Sequence, residues 1–129
     1  MLDYSLEETE SVSLQEQGLD QEELARVLKA LADPSRLSIF NMLMEGVQCN
    51  CEIAERLDLS LNLISHHLRV LRQSGLVLAE RAPEDARWIY YSVDTEALGG
   101  LSDALKRLLD PTRIQPRSPC CGPRQCKAS

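Results

Sequence analysis

The stretch Ser60-Leu61-Asn62-Leu63-Ile64-Ser65-His66-His67-Leu68-Arg69-Val70-Leu71-Arg72-Gln73-Ser74-Gly75 decides how the chain folds. Ile64, Leu68 and Leu71 recur at the steps that stack side chains along one side of an α-helix. Ser60 suits the N-cap, where its hydroxyl can accept a backbone N–H that the first turn leaves unbonded, and Gly75 suits the stop. Away from the apolar stripe lie Asn62, Leu63, Ser65, His66 and Arg69, with Arg72 further along. A helix with one locked face and one face of small or polar groups can enter the major groove of DNA, where Asn and Ser bond base edges or phosphates and Arg meets the backbone. Ser60, Asn62, Leu63, Ser65, His66, Arg69 and Arg72 are therefore the candidate DNA contacts. His67 lies on or near the inner side and is read as a packed, hydrogen-bonded histidine rather than a base reader.

Upstream, Ile53, Ala54 and Leu57 give a short helix with an apolar face, opened by Cys49 and Glu52 and joined to the reading helix through Asp58-Leu59-Ser60. Two short helices across so tight a turn form a helix-turn-helix. Asp20 and Glu23 have capping-box spacing and open a first helix through Leu24, Val27, Leu28 and Leu31, ending near Ala32. Asp33-Pro34 starts a second helix that runs to about Glu45, with Gly46 suited to its left-handed cap.

Downstream, Leu76 to Glu80 and Arg87 to Tyr91 are rich in strand formers and flank Pro83-Glu84-Asp85 as a turn, so a hairpin wing is expected. Trp88 and Tyr90-Tyr91 are read as hairpin packing. Arg87, at the wing's edge, is a further candidate DNA contact, with a solvated hairpin arginine as the other reading. From Asp94 to Leu109 the pattern is helical again, with Leu98, Leu101, Leu105 and Leu108 on one side. Gly99-Gly100 weakens that helix by roughly 1 kcal/mol per glycine relative to alanine, which suits either close approach of another helix or a local bend. Pro111, Pro116, Pro119 and Pro123 forbid continuous helix or sheet beyond it.

The expected architecture is mainly α with a β-hairpin wing: a dimeric winged helix-turn-helix. It places an acidic arm at residues 1–18, the DNA-binding and dimerisation domain at 19–110, and a Pro/Cys-rich tail at 111–129 that contributes inducer ligands. The 129 residues fit one domain. No apolar run approaches the roughly 20 residues of a membrane span, and the acidic first residues are the opposite of a secretory or mitochondrial leader, so a cytoplasmic protein without membrane partners is expected. The net charge of −6 runs against a nucleic-acid partner. Residues 1–24, however, hold eight acids and no base, which leaves twelve acids against fourteen bases for the remainder. The acidity is an N-terminal feature, read as a solvated tail or as an arm that competes with DNA.

The order of helices, helix-turn-helix, hairpin and final helix, with Ala32-Asp33-Pro34-Ser35-Arg36, Ser65-His66-His67-Leu68 and Gly75-Leu76-Val77, resembles the ArsR/SmtB family of metalloregulatory repressors over about residues 20–110. The resemblance implies a homodimer formed through the first and last helices. Such a dimer binds double-stranded operator DNA and releases it when an inducer binds. Paired half-sites independently call for paired reading helices.

Five cysteines, Cys49, Cys51, Cys120, Cys121 and Cys126, fall in two clusters. An odd number and no leader argue against a secreted disulfide framework and for metal or redox chemistry. Residues two apart in a regular helix point to nearly opposite faces, but Cys49 at a helix start has non-helical geometry, which permits its sulfur to converge with that of Cys51. A helix N-terminus also favours the thiolate that binds metals. Cys-x-Cys at this helix resembles the pattern of relatives that sense arsenite, antimonite, cadmium or lead. The arsenite pattern carries a third cysteine three residues later, where this chain has Ala54, so Cys120 and Cys121 in the tail are the available donors and Cys126 a further one. Trivalent arsenic takes three sulfur ligands, cadmium and lead accept three or four, and zinc closes a tetrahedron with sulfur or nitrogen. The cysteine-only set points to arsenite, with antimonite or a methylated arsenical as variants and cadmium, lead or zinc as the alternative. No organic cofactor is implied, and no zinc pair with histidine occurs on the last helix. Two other readings stay open: a thiol redox switch, and cysteines that merely cap and pack. An enzyme is disfavoured, because nothing supplies an acid to orient His66 or His67 towards a nucleophile.

Overall fold

The computed structural model describes residues 18–123; most of the acidic arm and Cys126 lie outside the described residues. Helix α1 (Gln21–Leu31) opens on a capping box: Glu23 N–H donates to Asp20 Oδ1 at 2.7 Å and Asp20 N–H to Glu23 Oε1 at 3.3 Å. Helix α2 (Pro34–Met44) follows at once, with Asp33 Oδ2 accepting from Arg36 N–H at 3.1 Å and Pro34 in the first turn, where a missing N–H costs nothing. Gly46, at φ +139°, turns the chain out of α2.

The short strand β1 (Gln48–Cys49) leads into α3 (Asn50–Leu57), which Cys49 N-caps. Asp58, the only non-glycine residue with positive φ among those described, ends α3 in the left-handed conformation that a short polar side chain tolerates. That turn delivers Ser60, whose Oγ accepts from Leu63 N–H at 3.1 Å to begin α4 (Leu61–Gln73). Gly75, at φ +92°, then reverses the chain into β2 (Val77–Arg81) and β3 (Ile89–Val93), and Asp94 caps α5 (Thr95–Leu108) through Glu96 and Ala97 N–H. A 3₁₀ turn (Pro111–Arg113) starts the irregular tail.

The winged helix-turn-helix expectation holds, with two differences. The hairpin strands start later than read from the sequence, because Arg87 and Trp88 belong to the tip: Ala82 N–H donates to Trp88 O at 2.9 Å and Trp88 N–H to Asp85 O at 3.0 Å. The second difference is β1 itself, which adds a third antiparallel strand in the order β1-β3-β2, with Gln48 opposite Tyr91 and Cys49 opposite Tyr90.

Ile39, Ile53, Ile64, Leu68, Leu71 and Leu76 are fully buried and pin α2, α3, α4 and the start of the wing together. At about 25 cal/mol per Å² of apolar surface, each such side chain contributes roughly 1.5–3 kcal/mol. Of the α5 leucines, Leu101 faces this core, Leu98 and Leu105 are half-buried, and Leu108 and Leu109 are exposed. An open apolar groove therefore runs along α5 between Leu98, Leu101, Leu105 and Leu109. A Cβ added at Gly99 or Gly100 would meet nothing within 4 Å, so no neighbour among the described residues requires these glycines. No helix among the described residues is long and apolar enough to cross a membrane.

Candidate DNA interface and thiol site

The reading helix α4 divides as its sequence implies. Ile64, Leu68 and Leu71 have 0% exposure, whereas Asn62, Leu63, His66, Arg69 and Arg72 are exposed and Ser65 is half-buried. Ser60 is exposed but its hydroxyl caps the helix. Leu61, also exposed, was not singled out by the sequence, since an apolar residue at the helix start reads equally as packing. Arg69, Arg72 and Gln73 line a groove with Val77, Leu78 and Ala79, so the end of the reading helix and the first wing strand share one surface.

His67 is buried at 7% exposure. Arg36 Nη1 lies 3.2 Å from its Nδ1, and because a guanidinium only donates, Nδ1 is the acceptor and Nε2 carries the proton. Nε2 faces Asp33 Oδ2 at 4.0 Å. Burial, foremost, lowers the His67 pKa; Asp33 pulls the other way, and Arg36 and His66 add to the lowering. Sequence reading found the buried histidine but not its partner, because the contact joins α2 to α4 through the tertiary fold.

Arg87 sits exposed at the wing tip with its guanidinium already paired: Nη2 to Asp85 Oδ2 is 2.7 Å and Nε to Asp85 Oδ1 is 3.0 Å. The Arg87 side chain holds the Asp85 carboxyl below the usual range. Arg81, which the sequence reading passed over, donates from Nη1 to Ala86 O at 2.6 Å and closes the tip from the other strand.

The cysteines separate. Cys49 is 6% exposed, with extended backbone (φ −93°, ψ 159°), while Cys51 in the first turn of α3 is exposed. The non-helical geometry expected at Cys49 is present, but one residue of the pair is buried and the other stands in solvent. Cys49 N–H donates to Glu52 Oε1 at 2.8 Å; this bond and, second, the Cys49 thiol hold the Glu52 carboxyl below its ordinary range. In the tail, Cys121 is an exposed free thiol, and Cys120 is disulfide-bonded, with its Sγ 3.8 Å from Arg117 Nη2. Among the described residues, no three His, Cys, Asp or Glu side chains come together as a metal-holding group.

The family model described as "Bacterial regulatory protein, arsR family" matches residues 33–78. The chain is 40% identical over 75 residues to an HTH-type transcriptional regulator of Methanocaldococcus jannaschii, covering 57% of this chain and 81% of that one. It is 33% identical over 97 residues to the arsenic resistance transcriptional regulator ArsR1 of Pseudomonas putida, covering 69% and 73% of the two chains. Among solved structures, the homodimeric winged helix-turn-helix DNA-binding domain from Mycobacterium bovis is similar at a TM-score of 0.54 and 32% identity, covering 67% of this chain and 82% of that one.

Proposed function

This chain belongs to the ArsR family of bacterial regulatory proteins, and from that premise we propose that it is a cytoplasmic repressor that holds operator DNA as an apo homodimer and releases it when trivalent arsenic binds cysteine thiolates. The observation that carries the inducer assignment is the pair of free thiols, Cys49 and Cys51, at the start of the helix that precedes the reading helix. A third thiolate is needed for trivalent arsenic. In this reading it comes from the tail of either subunit, from Cys121, or from Cys120 once its disulfide is reduced, with Cys126 as a further donor.

On the DNA side, Asn62, Leu63, Ser65 and His66 meet base edges, and Ser60, Arg69 and Arg72 meet phosphates. Arg87 reaches DNA only by exchanging its Asp85 partner for a phosphate. Dimerisation through α1 and α5 covers the apolar groove on α5. The role is binding rather than catalysis, as in the regulators this chain resembles.

An allosteric coupling of about 1–3 kcal/mol is enough to weaken DNA binding some 5- to 150-fold. The test is a gel-shift titration of apo protein on a duplex it selects from a randomised pool, with arsenite, antimonite, cadmium, lead and zinc as challengers. Arsenite releases the duplex, and Cys49→Ser or Cys51→Ser abolishes release without weakening apo binding. Release by cadmium or lead but not arsenite reassigns the inducer.

A second reading is a thiol redox switch in which Cys49 or Cys51, both free thiols here, pairs with a tail cysteine under oxidation. Under that reading peroxide releases the duplex without any metal ion, and dithiothreitol restores the complex.

A further inference from the structure

Cys49 serves several structures at once. It ends β1, where it lies opposite Tyr90 of the wing strand β3, and it N-caps α3. Its N–H is held by Glu52 Oε1 at 2.8 Å. The strand is also tied from behind, because Gln48 Nε2 donates to Met42 O at 3.2 Å at the end of α2. The residue is only 6% exposed. A soft ion shared with the exposed Cys51 and a tail thiol must bond the sulfur of a residue that is buried here and that is also one of the two residues of β1. Drawing that residue outward to a ligand therefore pulls on β1.

We propose that β1 is the transmission element of the sensor: ligation of Cys49 draws Gln48–Cys49 off β3, and the wing, losing a strand partner, leaves its DNA-binding position together with the start of the helix-turn-helix. This rests on the inducer site proposed above, but the mechanical link between Cys49 and the wing is a separate claim. Without β1 the β3 strand keeps its pairing with β2 and the packing of Tyr91 in the core but loses its partner on the other edge. Trp88, the single tryptophan of the chain, sits next to β3 and reports wing position by its fluorescence.

The test uses the full-length protein and two variants, each retaining one cysteine, Cys49 or Cys51, with the other four changed to serine. Methyl methanethiosulfonate labelling of Cys49 is followed beside exchange of the Tyr91 amide, which faces β1 while that of Tyr90 faces β2, with and without Gln48→Ala. Removing the Gln48 anchor should raise the Cys49 labelling rate and the β3 exchange rate by the same factor, about fivefold for one hydrogen bond, while Cys51 labelling stays level. Faster labelling of Cys49 with unchanged exchange in β3 overturns the link.

With wild-type protein, arsenite should deprotect the Tyr91 amide and shift Trp88 emission in step with DNA release. Release with β3 still protected also overturns the link. If the two rates rise together in Gln48→Ala but arsenite releases nothing, the transmission element stands and the inducer assignment falls.

Discussion

At Arg36 one guanidinium bonds both the Ala30 carbonyl near the end of α1 and Nδ1 of His67 in α4, while the Arg36 N–H is held by Asp33. The reading helix is thus fixed to the end of the first helix by a side chain belonging to neither. Protonating His67 would put a second donor against Arg36. With a pKa lowered from 6.5, the folded protein binds fewer protons here than the unfolded chain. Its contribution to stability is present above about pH 6.5 and is lost as pH falls through the lowered value. Calorimetric melting from pH 7.5 down to about 5 should show a decline that His67→Gln, neutral throughout, reduces. At fully buried Leu68, truncation to alanine should cost about 2–5 kcal/mol in urea unfolding. Both burials were legible, since the spacing of Ile64, His67, Leu68 and Leu71 fixes which side each occupies. The Arg36 contact was not, because nothing in local sequence says which tertiary carbonyl or ring an arginine will reach.

Among the elements, those held by near neighbours were legible from sequence. The Asp20, Asp33 and Ser60 caps all bond residues three positions ahead, so side-chain type and spacing suffice. Ser60→Ala should remove about 1 kcal/mol and increase amide exchange in the first turn of α4, weakening DNA binding even though apolar packing is untouched. β1 was not legible: two residues carry no periodicity, and their pairing with Tyr90 and Tyr91 depends on the folded wing. The wing's limits moved for a related reason. Strand propensity in Arg87 and Trp88 yields to a tip closed by Ala82, Asp85 and Trp88 backbone bonds and by the Asp85–Arg87 ion pair. Asp85→Asn should weaken that pair and free Arg87 for phosphate. Its expected signature is tighter DNA binding with a steeper dependence of affinity on salt, by about one further phosphate contact.

At the scale of the whole molecule, α5 carries an open apolar groove on one side and, on another, two glycines at which an added Cβ would meet nothing within 4 Å among the described residues. Close approach of a partner helix at these glycines predicts opposite effects of Gly99→Ala with Gly100→Ala. Intrinsic helix propensity improves by about 1 kcal/mol per site, yet sedimentation equilibrium shows a weaker dimer. A stronger dimer would favour the bend reading instead. Sequence raised both options because it shows the cost of the glycines but not what stands opposite them. The same limit applies to the thiols, whose clustering was visible while the burial of Cys49 beside the exposed Cys51 was not. That burial bears on dose. If a ligand binds only molecules in which β1 has opened, the apparent dissociation constant is the intrinsic one divided by the open fraction. The concentration at which the regulator responds is then set by the stability of a two-residue strand as much as by any bond to sulfur. Each 1.4 kcal/mol added to or taken from β1 pairing would move the threshold about tenfold. Such a sensor is recalibrated at Gln48, Tyr90 or Tyr91, with every ligand left in place.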